Sequence, residues 1–233
     1  MKDTDFYNQE SASYSQKRYP KVAQSYTQYF FNRRLALTKA FLRKALEPGK
    51  TYSLLELGCA DGIVVRELAK DFPNAFSKLI GVDISPGMIN EARRHNSLSN
   101  ASFVLRSEYA GKPVDIVNET GVINYAGFDT DIAFAHDNLK EKGCYILSVA
   151  GIGSIRNRLK PEAGFADFRS YKEYEALLRP KFEVLAVAGC GVFVPLIWKL
   201  PSLARLVHTV LEPFMGALMP SLCHEKLYLL KKK

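Results

Sequence analysis

Two carboxylates and two glycines stand close together in the stretch Ser53–Gly62, SLLELGCADG. Glu56 ends an apolar run, and Gly58, Asp61 and Gly62 follow it. A phosphate loop of the Gly-x-x-x-x-Gly-Lys type needs glycines one residue further apart, and a dinucleotide fingerprint starting at Gly58 needs glycines at positions 60 and 63. Because nearby anions disfavour phosphate at a helix start, the two carboxylates favour a ligand that is cationic and lacks phosphate.

A further acid lies in the second stretch of interest, Ile80–Met88, IGVDISPGM. Asp83 ends an apolar run 21 residues after Gly62, and Ser-Pro then gives the signal for a helix start. That separation is typical of an acid that accepts hydrogen bonds from both hydroxyls of a ribose. The sequence therefore predicts a pocket for a cationic nucleoside. Helix capping is an alternative explanation for Asp61 taken alone.

These residues can form one pocket only if the fold brings them together. The hydrophobic pattern predicts the strands and helices of such a fold. The predicted strands are 52–57, 79–83, 102–106, 114–118, 144–150, 182–188 and 224–230, and the predicted helices are 26–46, 61–72, 86–95, 128–140 and 171–178. A turn is predicted at Lys142-Gly143 and a loop at 151–168. Such alternation indicates right-handed crossovers and a parallel sheet covered on both faces. We therefore expect a doubly wound α/β fold in one domain of 233 residues.

The residues Glu56-Leu-Gly-Cys-Ala-Asp-Gly62 resemble the first motif of the class I S-adenosylmethionine-dependent methyltransferases, Glu/Asp-x-Gly-x-Gly-x-Gly, with Ala60 in place of the middle glycine. Ile80–Met88 is similar to the second motif, and residues 114–129 and 139–151 look like the fourth strand and the fifth helix–strand unit. The resemblance implies a mostly parallel seven-stranded sheet with an antiparallel last strand. Because Ala60 carries a Cβ, we expect its backbone to avoid positive φ.

The same resemblance implies the cofactor, S-adenosylmethionine, an adenosine that bears a sulfonium and an amino-acid tail. Its contacts would come from the turn, from the tip of the second strand, from the ends of the third and fourth strands, and from tyrosines near the start of the chain. The residues concerned are Glu56, Gly58, Cys59, Ala60, Asp61, Gly62, Asp83, Ile84, Ser85, Met88, Ser107, Glu108, Glu119, Thr120, Tyr14 and Tyr19. The adenine contacts at Ser107 and Glu108 fall in a connection shorter than is usual for the family.

Candidates for contact with the methyl acceptor follow the fourth strand. Methyl transfer is an in-line displacement that positioning in a dry site can accelerate, so a general base is optional. Glu119, Asn124 and Tyr125 are the catalytic candidates, although Glu119 could instead hold the cofactor and Tyr125 could pack under the next helix. The strand is not followed by Asn/Asp-Pro-Pro-Tyr/Phe, the family's signature for methylating exocyclic nitrogens and amides.

Two segments outside the core could complete the site. Residues 1–50 contain a tyrosine-rich stretch that resembles the lead-in of the family's small-molecule members, so it would act as a flap over the core at 51–150, or else form a partly disordered tail. An insertion at 189–223 carries apolar residues at helical spacing, namely Leu203, Leu206, Val207, Val210, Leu211 and Phe214. It could be extra core, a homodimer contact, a lid for an apolar acceptor, or a contact with a membrane surface.

Composition and charge bound the remaining possibilities. The chain is 47% hydrophobic and 24% charged, and its polar start lacks the apolar core of a signal peptide, so we expect a cytoplasmic protein. The cysteines and histidines show no metal-ligand spacing, and we expect no metal. Net charge is +6 over residues 1–50, −4 over 51–150 and +6 over 151–233. The acidic middle fits a cationic ligand, although a solvated surface would look the same.

We therefore predict an enzyme that transfers a methyl group from S-adenosylmethionine to an oxygen or nitrogen of a small or lipid-like metabolite. One alternative is an RNA methyltransferase that uses the basic flanks, although nucleic acid is the less favoured partner. Another is a protein that binds S-adenosylmethionine or S-adenosylhomocysteine without catalysis.

Overall fold

The computed structural model describes residues 4–159 and 166–233. Within these residues one seven-stranded sheet has the strand order β3-β2-β1-β4-β5-β7-β6. The strands are β1 Tyr52–Leu57, β2 Phe76–Asp83, β3 Ala101–Leu105, β4 Val114–Glu119, β5 Leu139–Ala150, β6 Phe182–Cys190 and β7 Glu225–Lys232. β7 runs antiparallel to both of its neighbours, and the other adjacent pairs are parallel. The expected doubly wound α/β fold with an antiparallel last strand is confirmed.

Both faces of the sheet are buried, which explains why its strands are continuous apolar runs. In β1, for example, Leu54 and Leu55 point to opposite faces and both are fully buried. One face is covered by α3 Tyr26–Ala45, α4 Ile63–Asp71 and α5 Pro86–His95. The other is covered by α7 Phe128–Asn138 and α9 Tyr171–Leu178, with the short α6 Ile123–Ala126 before α7.

The start of β5 differs from the sequence prediction. The helix before it ends at Asn138, and β5 begins at Leu139, which pairs with Val114. The next pair is Cys144 with Ile116, so residues 140–143 bulge out of the ladder, and Lys142 there has a φ of 61°. The predicted Lys142-Gly143 turn therefore lies inside the strand. The buried Leu139 anchors the strand before the turn, which a local turn signal cannot reveal.

Two regions expected to be irregular contain helices. The N-terminal segment forms α1 Thr4–Glu10, a 3-10 turn at Ser11–Ser13 and α2 Tyr14–Arg18. The predicted loop 151–168 contains α8 Ile155–Leu159, and its residues 160–165 lie outside the described part of the chain.

The insertion after β6 is helical over most of its length. It contains α10 Pro201–Leu206, a π-helical turn at Val207–Leu211 and α11 Glu212–Leu218. Pro213 lacks the amide that an α-helix would use at that point, which accounts for the widened turn before it. The insertion has a small hydrophobic cluster of its own, formed by Val192, Ile197, Ala204, Val207 and Cys223. Among the described residues, none of the helices is long and apolar enough to cross a membrane.

Candidate cofactor and active site

The turn between β1 and α4 is a tight loop that depends on its two glycines. Gly58 and Gly62 have φ values of 68° and 77°, in the left-handed region that favours glycine. A Cβ on Gly58 would also clash with the side chain of Val122. The amide of Cys59 donates to the carbonyl of Val82, which ties the turn to the neighbouring strand at 3.0 Å. These features therefore fix the backbone of the loop at the carboxyl edge of the sheet.

The expectation that Ala60 avoids positive φ is wrong. Its φ is 48°, a conformation that costs an L-residue about 1–2 kcal/mol. The cost is offset because this conformation directs the Ala60 amide at Asp83 Oδ2, 2.9 Å away. The turn therefore takes a left-handed conformation at this position even though the residue is alanine.

Asp83 ends β2 and faces the space above the turn. Its other oxygen, Oδ1, accepts from the amide of Ser85 at 2.9 Å. Burial raises the pKa of Asp83 above its usual range, and the donated amides partly oppose that shift. Ser85 caps α5 by accepting from the amide of Met88 at 3.2 Å. The predicted strand–acid–cap arrangement is present, and it fixes the carboxylate with one face toward the cavity.

A cavity of about 490 Å³ opens beside Asp83. Its lining is mostly apolar, with two carboxylates, one guanidinium and several hydroxyls. The lining residues are Thr4, Tyr7, Tyr14, Gly58, Ala60, Val82, Asp83, Ile84, Met88, Arg106, Gly121, Val122, Tyr125, Ala126, Thr130 and Asp131. Such a concave, apolar space with a few fixed polar groups is typical of a small-molecule site.

The N-terminal segment covers this cavity. Asn8 Oδ1 accepts from Ser85 Oγ at 2.7 Å and from the amide of Gly87 at 2.9 Å. Ser15 donates to Asp61 Oδ2 through its hydroxyl and, at 3.1 Å, through its amide. Asp61 Oδ1 also accepts from the Ile63 amide at 3.3 Å, so the acid both caps α4 and anchors the segment. The lead-in stretch is thus held against both cofactor-motif loops.

Behind one wall lies a buried group of charges around Glu56. Both oxygens of Glu56 accept from Asn118 Nδ2, at 2.9 and 2.8 Å. Burial raises the pKa of Glu56 to about 8, against the opposing effects of Asn118 and Arg34. The Arg34 guanidinium lies against Gly121, a lining residue, and donates to Glu225 Oε1 at 3.2 Å. Arg34 was not singled out by sequence because it comes from a helix that carries no recognisable motif.

A second buried group lies at the other side of the cavity. Arg106 forms an ion pair with Asp131, and both line the cavity. Tyr145 donates to Glu119 Oε2. Burial, and then the neighbouring Asp131 carboxylate, raise the pKa of Glu119 well above its usual range. Because Glu119 Oε1 and Asp131 Oδ2 have no donor, a proton held by Glu119 would satisfy both.

The structure separates the predicted site residues into three groups. Those that line the cavity are Gly58, Ala60, Asp83, Ile84, Met88, Tyr14 and Tyr125. Those that do not line it are Glu56, Cys59, Asp61, Gly62, Ser85, Glu119, Thr120 and Tyr19. Ser107 and Glu108 are exposed on a 3-10 turn, and Arg106 lines the cavity in their place.

Asn124 has a different position from the one expected of an acceptor contact. Its amide nitrogen donates to the carbonyls of Ala150 and Asp167, both at 3.0 Å, and it also bonds with the Tyr174 hydroxyl at 2.9 Å. The Asn124 oxygen accepts from the Ala150 amide at 2.8 Å. With these bonds the side chain is saturated, and it joins three segments of the fold.

The insertion stands apart from the cavity. No residue of 189–223 lines it. Within residues 4–159 and 166–233, no cluster of three or more His, Cys, Asp or Glu side chains could hold a metal ion.

The family model and the curated relatives that match this chain are described as methyltransferases. A family model described as "Methyltransferase domain" matches residues 54–142. Malonyl-(acyl-carrier protein) O-methyltransferase of Anoxybacillus flavithermus is 34% identical over 79 residues, which is 34% of this chain and 29% of that protein. Juvenile hormone acid O-methyltransferase of Bombyx mori is 38% identical over 50 residues, 22% of this chain and 18% of that protein. The matches thus span less than a third of the length of these curated relatives.

Similarity of fold to a solved structure extends over more of the chain than the sequence matches do. The crystal structure of magnesium protoporphyrin IX methyltransferase from Synechocystis, with bound S-adenosylhomocysteine, has a TM-score of 0.66 at 14% identity and covers 99% of this chain and 98% of that one. The sequence match covers the cofactor half of the sheet, and the structural match extends to its antiparallel end. Residues 54–142 therefore match a methyltransferase domain, and the chain shares the fold of this solved methyltransferase over almost its whole length.

Proposed function

We propose that this protein transfers the methyl group of S-adenosylmethionine to an oxygen or nitrogen of a small or lipid-like acceptor. The observation that carries the proposal is the position of Asp83, fixed by two backbone amides at the mouth of an apolar cavity, next to a turn that holds carboxylates. That arrangement suits a nucleoside with a positive charge and no phosphate.

In the proposed complex, Asp83 accepts hydrogen bonds from the two ribose hydroxyls. The exposed Ile84 and the buried Met88 give the adenine an apolar surface. The backbone at Gly58 and Ala60 lies close enough to the cavity to meet the ligand directly. Tyr14 and Tyr7 cover the ligand from the N-terminal segment and keep water away from it.

The amino-acid tail of the cofactor would lie toward the buried charges behind Gly121. Arg34 is suited to its carboxylate, and Glu56 to its ammonium group. Because burial holds the pKa of Glu56 at about 8 without a ligand, an arriving cation would favour the ionised form of the carboxylate. The Glu56 carboxylate would therefore become ionised, and attract the ammonium group strongly, only when the charged tail is bound.

The acceptor would enter beside Tyr125, Arg106 and Asp131, which line the cavity away from the turn. Its oxygen or nitrogen lone pair attacks the methyl carbon while the carbon–sulfur bond breaks and its electrons pass to sulfur. The acceptor's proton leaves to solvent or to a carboxylate. The two curated relatives are O-methyltransferases, which favours oxygen as the nucleophile. Tyr125 is the proposed contact with the acceptor, and positioning supplies most of the rate.

Calorimetric titration with S-adenosylmethionine, S-adenosylhomocysteine and NAD tests the cofactor. We expect the first two to bind, and NAD not to. The Asp83→Ala variant should bind S-adenosylhomocysteine at least about tenfold more weakly, because two hydrogen bonds to the ribose are lost. Asp137→Ala, at an exposed carboxylate on α7, is the matched control and should bind normally. Unchanged affinity in Asp83→Ala would show that the ribose lies elsewhere.

Transfer of a labelled methyl group tests the reaction. The assay is offered separate pools of small carboxylic acids and phenols, lipid extracts and RNA. We expect label in the small-molecule or lipid pool, and loss of that label with Tyr125→Ala while S-adenosylhomocysteine still binds. Label in RNA alone would favour the basic flanks as the acceptor site. Cofactor binding with no label in any pool would favour a binding protein without catalysis.

A further inference from the structure

The helices of the insertion have their polar and apolar sides reversed. In a surface helix of a soluble protein the apolar stripe normally faces the core. Here the residues that face inward are Ala204, Val207, His208, Glu212 and Gly216, and all are buried. The inward side therefore contains a buried pair of a histidine and a carboxylate, His208 and Glu212.

That pair is built into the interior by specific contacts. His208 Nδ1 and Glu212 Oε2 are 2.6 Å apart, and Glu212 Oε1 accepts from the amide of Gly191 at 2.9 Å. The ring of His208 stacks on Trp198 and Tyr29, with centroids 4.9 and 5.0 Å away. The orientation of the helices is thus fixed by the polar side, and the apolar stripe has to point away from the protein.

The apolar outer face is the set of large side chains that this orientation exposes. Its members are Leu196, Leu200, Leu203, Leu206, Val210, Leu211, Phe214, Leu218 and Met219, with exposed fractions from 43% to 72%. Residues 201–218 form a nearly continuous helix about 27 Å long at 1.5 Å per residue, which makes this a ridge rather than scattered side chains. A continuous exposed ridge of this kind marks an interaction site.

The charges around the apolar outer face have a single sign. Lys199 and Arg205 are exposed beside it. Glu212 is the sole carboxylate between residues 191 and 222, and it is buried. Nearby, Arg156 lies over the ring of Phe193, 5.3 Å from its centroid, which brings the basic helix α8 to the same side of the protein. The rim of the face is therefore cationic.

We propose that the apolar outer face binds to the surface of a membrane that contains anionic phospholipids. Leucines, valine and phenylalanine on one side of a helix, with lysine and arginine at its margin, are the pattern of a helix that lies in the headgroup region. A second copy of the chain is a poorer partner, because a twofold contact would bring together two rims that carry cations and no exposed carboxylate. A closing lid is also a poorer explanation, because no residue of the insertion lines the cavity.

The position of the insertion gives this surface a connection to the active site. It leaves the sheet after Cys190 and returns at Glu225, and these two residues pair across β6 and β7. Ala150, the last residue of β5, pairs with Glu225 as well. The insertion therefore emerges at the same edge of the sheet at which β1 and β2 present the cofactor turn and Asp83. A membrane-bound protein would hold this edge toward the lipid.

Vesicle sedimentation of the full chain tests the proposal. We expect the protein to pellet with vesicles of phosphatidylglycerol and phosphatidylcholine, and about tenfold less with phosphatidylcholine alone. The double variant Leu206→Glu/Val210→Glu should lose at least about tenfold of its partition into the mixed vesicles. Val22→Glu/Leu185→Glu adds the same charge at exposed apolar positions elsewhere and should pellet like the wild type. Lys199→Gln/Arg205→Gln should lose the preference for the anionic lipid.

A second readout separates membrane binding from misfolding. Trp198 is the single tryptophan of the chain and packs behind the apolar outer face. Brominated lipids should therefore quench its fluorescence in the wild type and in Val22→Glu/Leu185→Glu, and much less in Leu206→Glu/Val210→Glu. The variants should keep the melting temperature and the S-adenosylhomocysteine affinity of the wild type, which makes the result independent of the proposed methyl transfer. Equal sedimentation of the wild type and Leu206→Glu/Val210→Glu would overturn the proposal. The proposal would also be overturned if the wild type did not bind to vesicles and instead formed a dimer that Leu206→Glu/Val210→Glu dissociates.

Discussion

At the scale of single residues, the site is notable for acids that are buried before any ligand arrives. Glu56 is 2% exposed and bonded only through Asn118, and burial raises its pKa to about 8. Glu119 is also buried, with its pKa raised by burial and by Asp131. Such groups lower stability at neutral pH, and a cationic ligand can recover part of that cost.

We predict that Glu56→Gln makes the ligand-free protein less sensitive to pH. The folded protein holds the Glu56 proton up to about pH 8, whereas the unfolded chain releases it near the ordinary glutamate pKa of 4.5. The stabilising contribution is therefore fully present below pH 4.5 and is lost as the pH rises toward 8. Over that window the wild type should lose up to about 1.4 kcal/mol per pH unit more than the variant.

Urea unfolding at several pH values between these limits measures the difference. Glutamine keeps the size of the side chain and an oxygen that accepts from Asn118, so the fold should survive. If the free energies of unfolding of the two proteins changed with pH in parallel, the raised pKa of Glu56 would be contradicted.

We also predict that Ala60→Gly stabilises the protein or leaves it unchanged. Glycine relieves the strain of a φ of 48°, and the greater freedom of the unfolded chain offsets part of the gain, so the net gain should be at most about 1 kcal/mol. Ala69→Gly, inside the helix α4, should instead lower the free energy of unfolding by about 0.5–1 kcal/mol. Thermal unfolding compares the two, and a marked loss in Ala60→Gly would contradict the strain argument.

At the scale of elements, the N-terminal segment decides whether the cavity is enclosed. Helices α1 and α2 are short, and few of their side chains are buried. Their attachment depends on polar bonds, from Asn8 to the start of α5 and from Ser15 to the start of α4. A segment held mainly by a few exchangeable hydrogen bonds can open at low cost, which suits a gate for the exchange of cofactor and product.

We predict that Asn8→Ala weakens the binding of S-adenosylhomocysteine by roughly thirtyfold, because it removes two bonds worth about 1 kcal/mol each from the closed form. The melting temperature should change little, since the sheet is untouched. Asn90→Ala, at an exposed position of α5, should leave the affinity unchanged. Calorimetry supplies the affinities. If Asn8→Ala binds normally and its N-terminal segment resists protease like the wild type, the segment does not act as a gate.

At the scale of the whole molecule, one ion pair joins the two ends of the chain. Arg34 on α3 and Glu225 at the start of β7 are 191 residues apart, and the side chain of each is less than 10% exposed. The Arg34 guanidinium also lies over the ring of Phe31 at 4.4 Å. The contact fastens the leading helix to the antiparallel edge of the sheet, directly behind the proposed site for the amino-acid tail.

We predict that Arg34→Ala destabilises the protein by about 3–5 kcal/mol, because it leaves Glu225 buried without its partner. Arg34→Met/Glu225→Gln removes both charges and should recover much of the loss. Arg43→Ala, at an exposed position of the same helix, should cost less than about 0.5 kcal/mol. Urea unfolding measures all three. A loss as large in the double variant as in Arg34→Ala would show that packing, rather than charge, is what Arg34 contributes.

The sequence by itself determined the cofactor half of this protein. The strand, the turn, Asp83 and the Ser85 cap are local features, and each depends on residues within a few positions of it. Parallel order then follows from the alternation of strands and helices, because crossovers have one hand. For these reasons the position of Asp83 at the end of β2 and the class of the fold could be predicted without any structure.

Only the tertiary structure decided which way the insertion faces and which distant side chains meet. Periodicity placed six residues on one side of a helix, namely Leu203, Leu206, Val207, Val210, Leu211 and Phe214, yet period alone does not say whether that side meets the core or the solvent. In the structure Val207 is buried, whereas the other five are exposed. The long-range bonds of His208–Glu212 with Gly191 settled it. The φ of Ala60 and the pairing of Arg34 with Glu225 are likewise set by contacts between segments far apart in sequence.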